Sequence, residues 1–209
     1  MTHVEQTLDD VVQAIYAAPE TLHDHLQHVD PDELAAALKQ QVEKHWWIDP
    51  AISVEYADLI IQAGHLTEET HLVALGTMTK GDSHRMKGNT AHAWELLKEA
   101  GDLFLRDGNR HGWARTCIGR LSVAVQMGAV AETLVDADKA EAVFRERDDL
   151  HMVIRLLINR AVLHDLLGEH RQALAKIQQC EEAALQLGKE RISLAELEKA
   201  YEGWLPALM

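Results

Sequence analysis

Residues Ile158 to Leu174 read INRAVLHDLLGEHRQAL. Ile158, Ala161, Val162 and Leu163 lay an apolar stripe along a helix, Gly168 stops it, and a second helix starts at once. Glycine suits such a stop because it adopts the left-handed conformation that closes a helix. Arg160 is out of place, a charge inside the stripe.

Forty residues earlier the same grammar recurs, and again forty before that. With Ala74 laid over Ala114 and Ile154, three segments align without gaps. Gly88, Gly128 and Gly168 coincide, as do Ala93, Thr133 and Ala173, then Ala100, Ala140 and Cys180. Phe104, Phe144 and Ala184 follow, just before the breaks DGN (107–109), RDD (147–149) and LGK (187–189). Small residues recur where two helices approach closely and large apolar ones where a gap must be filled. Each unit is therefore expected to be a helical hairpin, hinged at the shared glycine and ending near Phe104, Phe144 or Ala184.

A weaker copy precedes these three, with helices expected over Asp32–Trp46 and Pro50–Gly64. Pro50 replaces the glycine hinge, since proline is favoured at a first helical position. The expected organisation is capping helices in 1–31 (Val4–Ala17 and Pro19–His28), a degenerate hairpin at 32–66, and repeats at 67–108, 109–148 and 149–188. Residues 189–209 hold one more expected helix, Ser193–Trp204, either a terminal cap or the start of a repeat in a longer protein.

Composition agrees with an all-α chain. Ala, Leu, Glu, Gln, Lys and Arg dominate, all good helix formers, and only four of 209 residues are proline. With 34 acidic against 20 basic residues the net charge is −14. Such a surface repels a phosphate backbone, so general nucleic-acid binding is not expected. Thirteen histidines soften that charge in acid. No run approaches the roughly 18 apolar residues of a membrane span, and the acidic N-terminus lacks the form of a signal peptide. Cys117 and Cys180, far apart and without a CxxC pattern, fit a reducing compartment, so a cytoplasmic location is expected.

The hairpins resemble tetratricopeptide repeats. Gly81 and Ala161, Ala93 and Ala173, and Ala100 and Ala140 sit where that family places small residues. The forty-residue spacing departs from its commonest length, and its early Trp and closing Pro are missing. The closer likeness is to the N-terminal repeat region of bacterial proteins with a caspase-like CHAT domain. It rests on WWIDPAISVEYADL (46–59), KGDSHRMKG (80–88), ARTCIG (114–119) and INRAVL (158–163). The resemblance implies a right-handed α-solenoid that binds proteins or peptides, a scaffold or regulatory module. It carries over no catalytic residue, because the protease domain's Cys/His pair belongs to an α/β core that these repeat helices do not form.

Two rows of basic residues follow from the register. Arg115 and Arg155 share a face with Gly119 and Asn159 one turn later, at about 100° per residue. In tetratricopeptide arrays that face lines the concave groove. An arginine beside an asparagine amide holds an extended peptide by backbone and carboxylates, so Arg115, Arg155 and Asn159 are the candidate partner-binding residues. Lys80, Arg120 and Arg160 point about 100° away, where packed stems and paired tips are expected. Asp102, Asp136 and Glu141 are the candidate partners. Trp46 and Trp47 cannot both face inward, so one is expected in the seam and the other as an exposed contact anchor. Trp94 aligns with Leu134 and Leu174 and is assigned to the core.

The remaining constellations favour structural readings. His23, His25 and His28 lack the spacing and companions of a metal set. His84 and His164 occupy a packing position. There is no phosphate loop, nucleophile elbow or HExxH, and no cofactor or catalytic set is expected. Two other functions stay open: self-assembly into a homo-oligomer through the terminal helices, and a histidine-dependent metalloenzyme at the His23 region.

Overall fold

A computed structural model describes residues 7–187. Among them the chain is all-α, without strands. Helix α1 (Leu8–Ala17) leads through a 3-10 turn (Pro19–Thr21) to the short α2 (Leu22–His25). Four hairpins follow: α3 (Pro31–His45) with α4 (Pro50–Leu66), α5 (Thr70–Met86) with α6 (Thr90–Arg106), α7 (Arg110–Val123) with α8 (Val130–Glu146), and α9 (Leu150–Leu166) with α10 (His170–Gln186). Several expected boundaries shift, and α1 starts at Leu8 rather than Val4. The second N-terminal helix breaks into the 3-10 turn and a helix ending at His25 rather than His28, and α4 runs past Gly64 to Leu66. The expected helix over 193–204 lies outside the described residues.

From α5 to α10, helices start at residues 70, 90, 110, 130, 150 and 170. Left-handed residues punctuate the chain at the same interval: Glu68, Gly88, Gly108, Gly128, Asp148 and Gly168 all have φ between 54° and 78°. Four of the six are glycines, for which this conformation carries no Cβ penalty. Glu68 and Asp148 adopt it with a side chain. Six helices have 17 residues, but α7 stops after 14. There the Ser122 hydroxyl donates to the Gly119 carbonyl at 2.5 Å, a back-bond of the kind that bends and loosens a helix.

Each helix from α3 to α10 packs on the next, and the first helices of successive hairpins also touch, α3 on α5, α5 on α7 and α7 on α9. The contact between α4 and α5 is closest at two glycines. A Cβ on Gly64 would stand 2.6 Å from the Val73 nitrogen, and one on Gly76 would stand 2.7 Å from the Ile61 nitrogen. Val12, Ile15, Leu34, Leu38 and Ile60 fill the first core, and Leu121, Phe144, Leu156 and Leu157 the last. Met78, Leu97 and Phe104 lie between, with Leu75 and Trp113 bridging to either side. Trp94 is 5% exposed, a core residue.

The row of Lys80, Arg120 and Arg160 is tied into the fold. Lys80 pairs with Asp58 of α4 at 2.7 Å. Arg120 donates to Asp136 of α8 at 2.9 Å and lies 5.9 Å from the centre of the Trp94 ring. Arg160 reaches Glu141 at 3.0 Å and Asp138 at 2.7 Å, both on α8. Asp136 and Glu141 thus act as partners, whereas Asp102 is exposed and Lys80 turns back to the preceding hairpin instead.

Candidate functional site

One open cavity of about 150 Å³ is built entirely from the hairpins' first helices and the end of α3. Its lining contains a row at forty-residue steps, Lys39, Thr79, Gly119 and Asn159, one from each of α3, α5, α7 and α9. Arg115 and Arg155 stand one turn before the last two. The structure therefore brings Arg115, Arg155 and Asn159 together, with Gly119 between them. Gly119 keeps the floor open: a Cβ there would meet Leu97 at 2.9 Å and the Asp82 carboxylate at 3.1 Å.

Trp46 joins this wall, packed against the first core. Its indole Nε1 is shielded from solvent and has no hydrogen-bond partner among the described residues. Trp47 does not line the cavity. It is 66% exposed at the α3–α4 turn, beside Ile48 at 71%. The two tryptophans divide as expected, one in the seam and one outside.

The cavity's electrostatics oppose those of the whole chain. Lys39, Arg85, Arg115 and Arg155 contribute four cations against two carboxylates, Glu43 and Asp82, in a protein of net charge −14. Both carboxylates are engaged: Glu43 with Lys39, and Asp82 with Arg85 at 3.3 Å. The guanidiniums of Arg115 and Arg155 form no ion pair or hydrogen bond among the described residues. Burial pulls the Arg115 pKa below the usual arginine range; Asp82 opposes that shift and Arg155 adds to it. Two neighbouring guanidiniums without a direct ion pair attract an anionic group, and a planar guanidinium takes a carboxylate by two parallel hydrogen bonds.

Asn159 is less free than its position alone implies. Its Nδ2 donates to the Arg155 carbonyl at 2.7 Å, leaving the amide oxygen and one N–H for a ligand. Met78, Ile118 and Met152 supply apolar wall between the charges. Asp82 and Arg85 are site residues that repeat register does not reveal, because the equivalent positions hold Ser122 and Val162, and Val125 and Asp165.

His164 is buried, with Nδ1 2.7 Å from Glu169, and His84 stands in the same register, 3.3 Å from the Asn89 amide. His23 and His28 are exposed, and no three-ligand group forms around them among the described residues. Cys117 and Cys180 are buried free thiols, both pushed upward in pKa by burial. No described helix is long and apolar enough to cross a membrane. No protein-family model matches the chain, and no curated protein matches it in sequence.

Proposed function

We propose that the four hairpins form a right-handed tetratricopeptide-like solenoid that binds an extended protein segment carrying carboxylates. The observation that carries this reading is the pair of unpartnered guanidiniums, Arg115 and Arg155, in a cation-rich cavity of an acidic protein. Apolar wall from Trp46, Met78 and Met152 supports a peptide rather than a small inorganic anion, because it offers surface for side chains between the charged contacts. The module acts as a scaffold or regulatory element of an intracellular protein, in keeping with the likeness to the N-terminal region of CHAT-domain proteins.

The test is selection from a displayed library of random C-terminal peptides, followed by fluorescence anisotropy on the winners. Enrichment of peptides with acidic residues or a free terminal carboxylate is expected. Arg155→Glu is expected to weaken them at least tenfold while helicity is unchanged. Selection of neutral or basic sequences, or binding indifferent to Arg155→Glu, would refute the reading.

A further inference from the structure

At the opposite end of α5 from its glycine hinge, three metal-ligating side chains converge on one point. The Nε2 of His71 lies 2.8 Å from Oδ1 of Asp32 and 3.8 Å from Oε2 of Glu69. All three donor atoms fall within 4.8 Å of one another. Ligands about 2.0–2.2 Å from a tetrahedral zinc ion stand roughly 3.3 Å apart. The two separations from His71, 2.8 and 3.8 Å, bracket that value.

A second observation points the same way. Oε2 of Glu69 is shielded from water and accepts no hydrogen bond, with His71 its nearest cation at 3.8 Å, while the Glu69 side chain as a whole is 36% exposed and that of Asp32 69%. A buried carboxylate oxygen without a donor is costly, and a cation offsets that cost. Glu69 also departs from the local rule for its position. It is the N-cap of α5, but its side chain makes no capping bond, whereas Asp30, Asn109 and Asp149 cap the first helices of the other three hairpins. Because Asp30 caps α3, Asp32 two residues later is spare as well. Two full carboxylate charges outweigh the partial positive charge of the two helix starts.

The corner one repeat later offers a contrast, since its histidine pairs forward to the start of α9 rather than back to the preceding hairpin. His111, forty residues after His71, lies 2.8 Å from Oδ2 of Asp149. There Oδ1 of Asp149 accepts from the Met152 N–H and Asn109 caps Gly112, so no third anionic donor is available.

We infer that Asp32, Glu69 and His71 form a zinc-class divalent metal site, with water in the fourth position, that clamps the first turn of α3 to that of α5. The test is calorimetric titration of Zn²⁺ into the full chain, tag removed and dialysed against chelator, alongside melting curves. One stoichiometric equivalent and a raised Tm are expected in the parent and in His111→Ala. Both are expected to vanish in His71→Ala, and affinity to fall at least tenfold in Glu69→Gln, which preserves side-chain shape should His71→Ala fold poorly. The proposal is overturned if the parent binds no stoichiometric Zn²⁺. It is equally overturned if the two site variants bind it as the parent does.

Discussion

Nη2 of Arg120 donates to Oδ2 of Asp136 at 2.9 Å, joining α7 to α8 with the arginine side chain only 7% exposed. The geometry is asymmetric, because the Nε of Arg120 finds no acceptor. Removing Asp136 strands the buried guanidinium and costs about 3–5 kcal/mol, whereas removing Arg120 leaves a carboxylate that is more exposed, at 20%, and still paired with Lys139 at 3.1 Å. Asp136→Ala is therefore expected to destabilise the chain by about 3 kcal/mol and Arg120→Met by much less. Urea denaturation of both variants checks the order; equal losses would contradict it.

Arg115 presents the opposite case. Its charge is desolvated, lies near Arg155, and has no ion pair among the described residues. Arg115→Met is expected to leave stability unchanged or raise it by about 1 kcal/mol, while abolishing binding of acidic peptides. A loss above about 2 kcal/mol in chemical denaturation would assign Arg115 to the scaffold instead.

Glu68 holds a left-handed backbone at φ 60°, a conformation costing a side-chain-bearing residue about 1–2 kcal/mol. Glycine removes that cost but adds freedom to the unfolded chain. Glu68→Gly is expected to gain about 0.5–1 kcal/mol. Asp148→Gly, at φ 54°, should gain less, since aspartate enters this region more readily than glutamate. Paired thermal melts decide the ranking.

Gly76 offers no such latitude. An added methyl would meet the Ile61 backbone nitrogen at 2.7 Å and the Ala57 carbonyl at 3.1 Å, and backbone cannot step aside as a side-chain tip can. Gly76→Ala is expected to cost about 1–3 kcal/mol, read as a lower denaturation midpoint. No change in midpoint would mean that α4 and α5 can separate freely.

His84 makes stability depend on acid. Burial, then the charges of His92, Lys87 and Lys80, lowers its pKa from 6.5 to about 4. As pH falls below 6.5 the unfolded chain takes up a proton that the folded chain refuses until about 4, so stability drops across that window. His84→Phe, which keeps a packed ring, is expected to flatten the decline in Tm between pH 6.5 and 4.5. An identical decline in parent and variant would exclude His84 as a source.

Much of the architecture was legible because small and turn residues recur every forty positions, and grouping Arg115, Arg155 and Asn159 rested on that register, on helical phase and on the tetratricopeptide likeness. Periodicity does not say whether a long side chain reaches forward or back. That is why Lys80 finds Asp58 rather than Asp102, while Arg120 reaches forward to its own hairpin. Glu68 and Asp148 fall at expected unit boundaries, but neither announces its left-handed backbone as a glycine does. Asp82 and Arg85 stayed invisible because no repeat copies them. The His71 corner escaped for a related reason: Asp32 belongs to the hairpin whose register is weakest, so only folding places it beside α5.

The turning points every twenty residues set the unit in which this chain can change length. A gain or loss of forty residues leaves every later helix boundary in phase and returns each face to its former neighbour. A change of half that number swaps first helices for second ones downstream, taking Arg155 and Asn159 out of the set of first helices that lines the cavity.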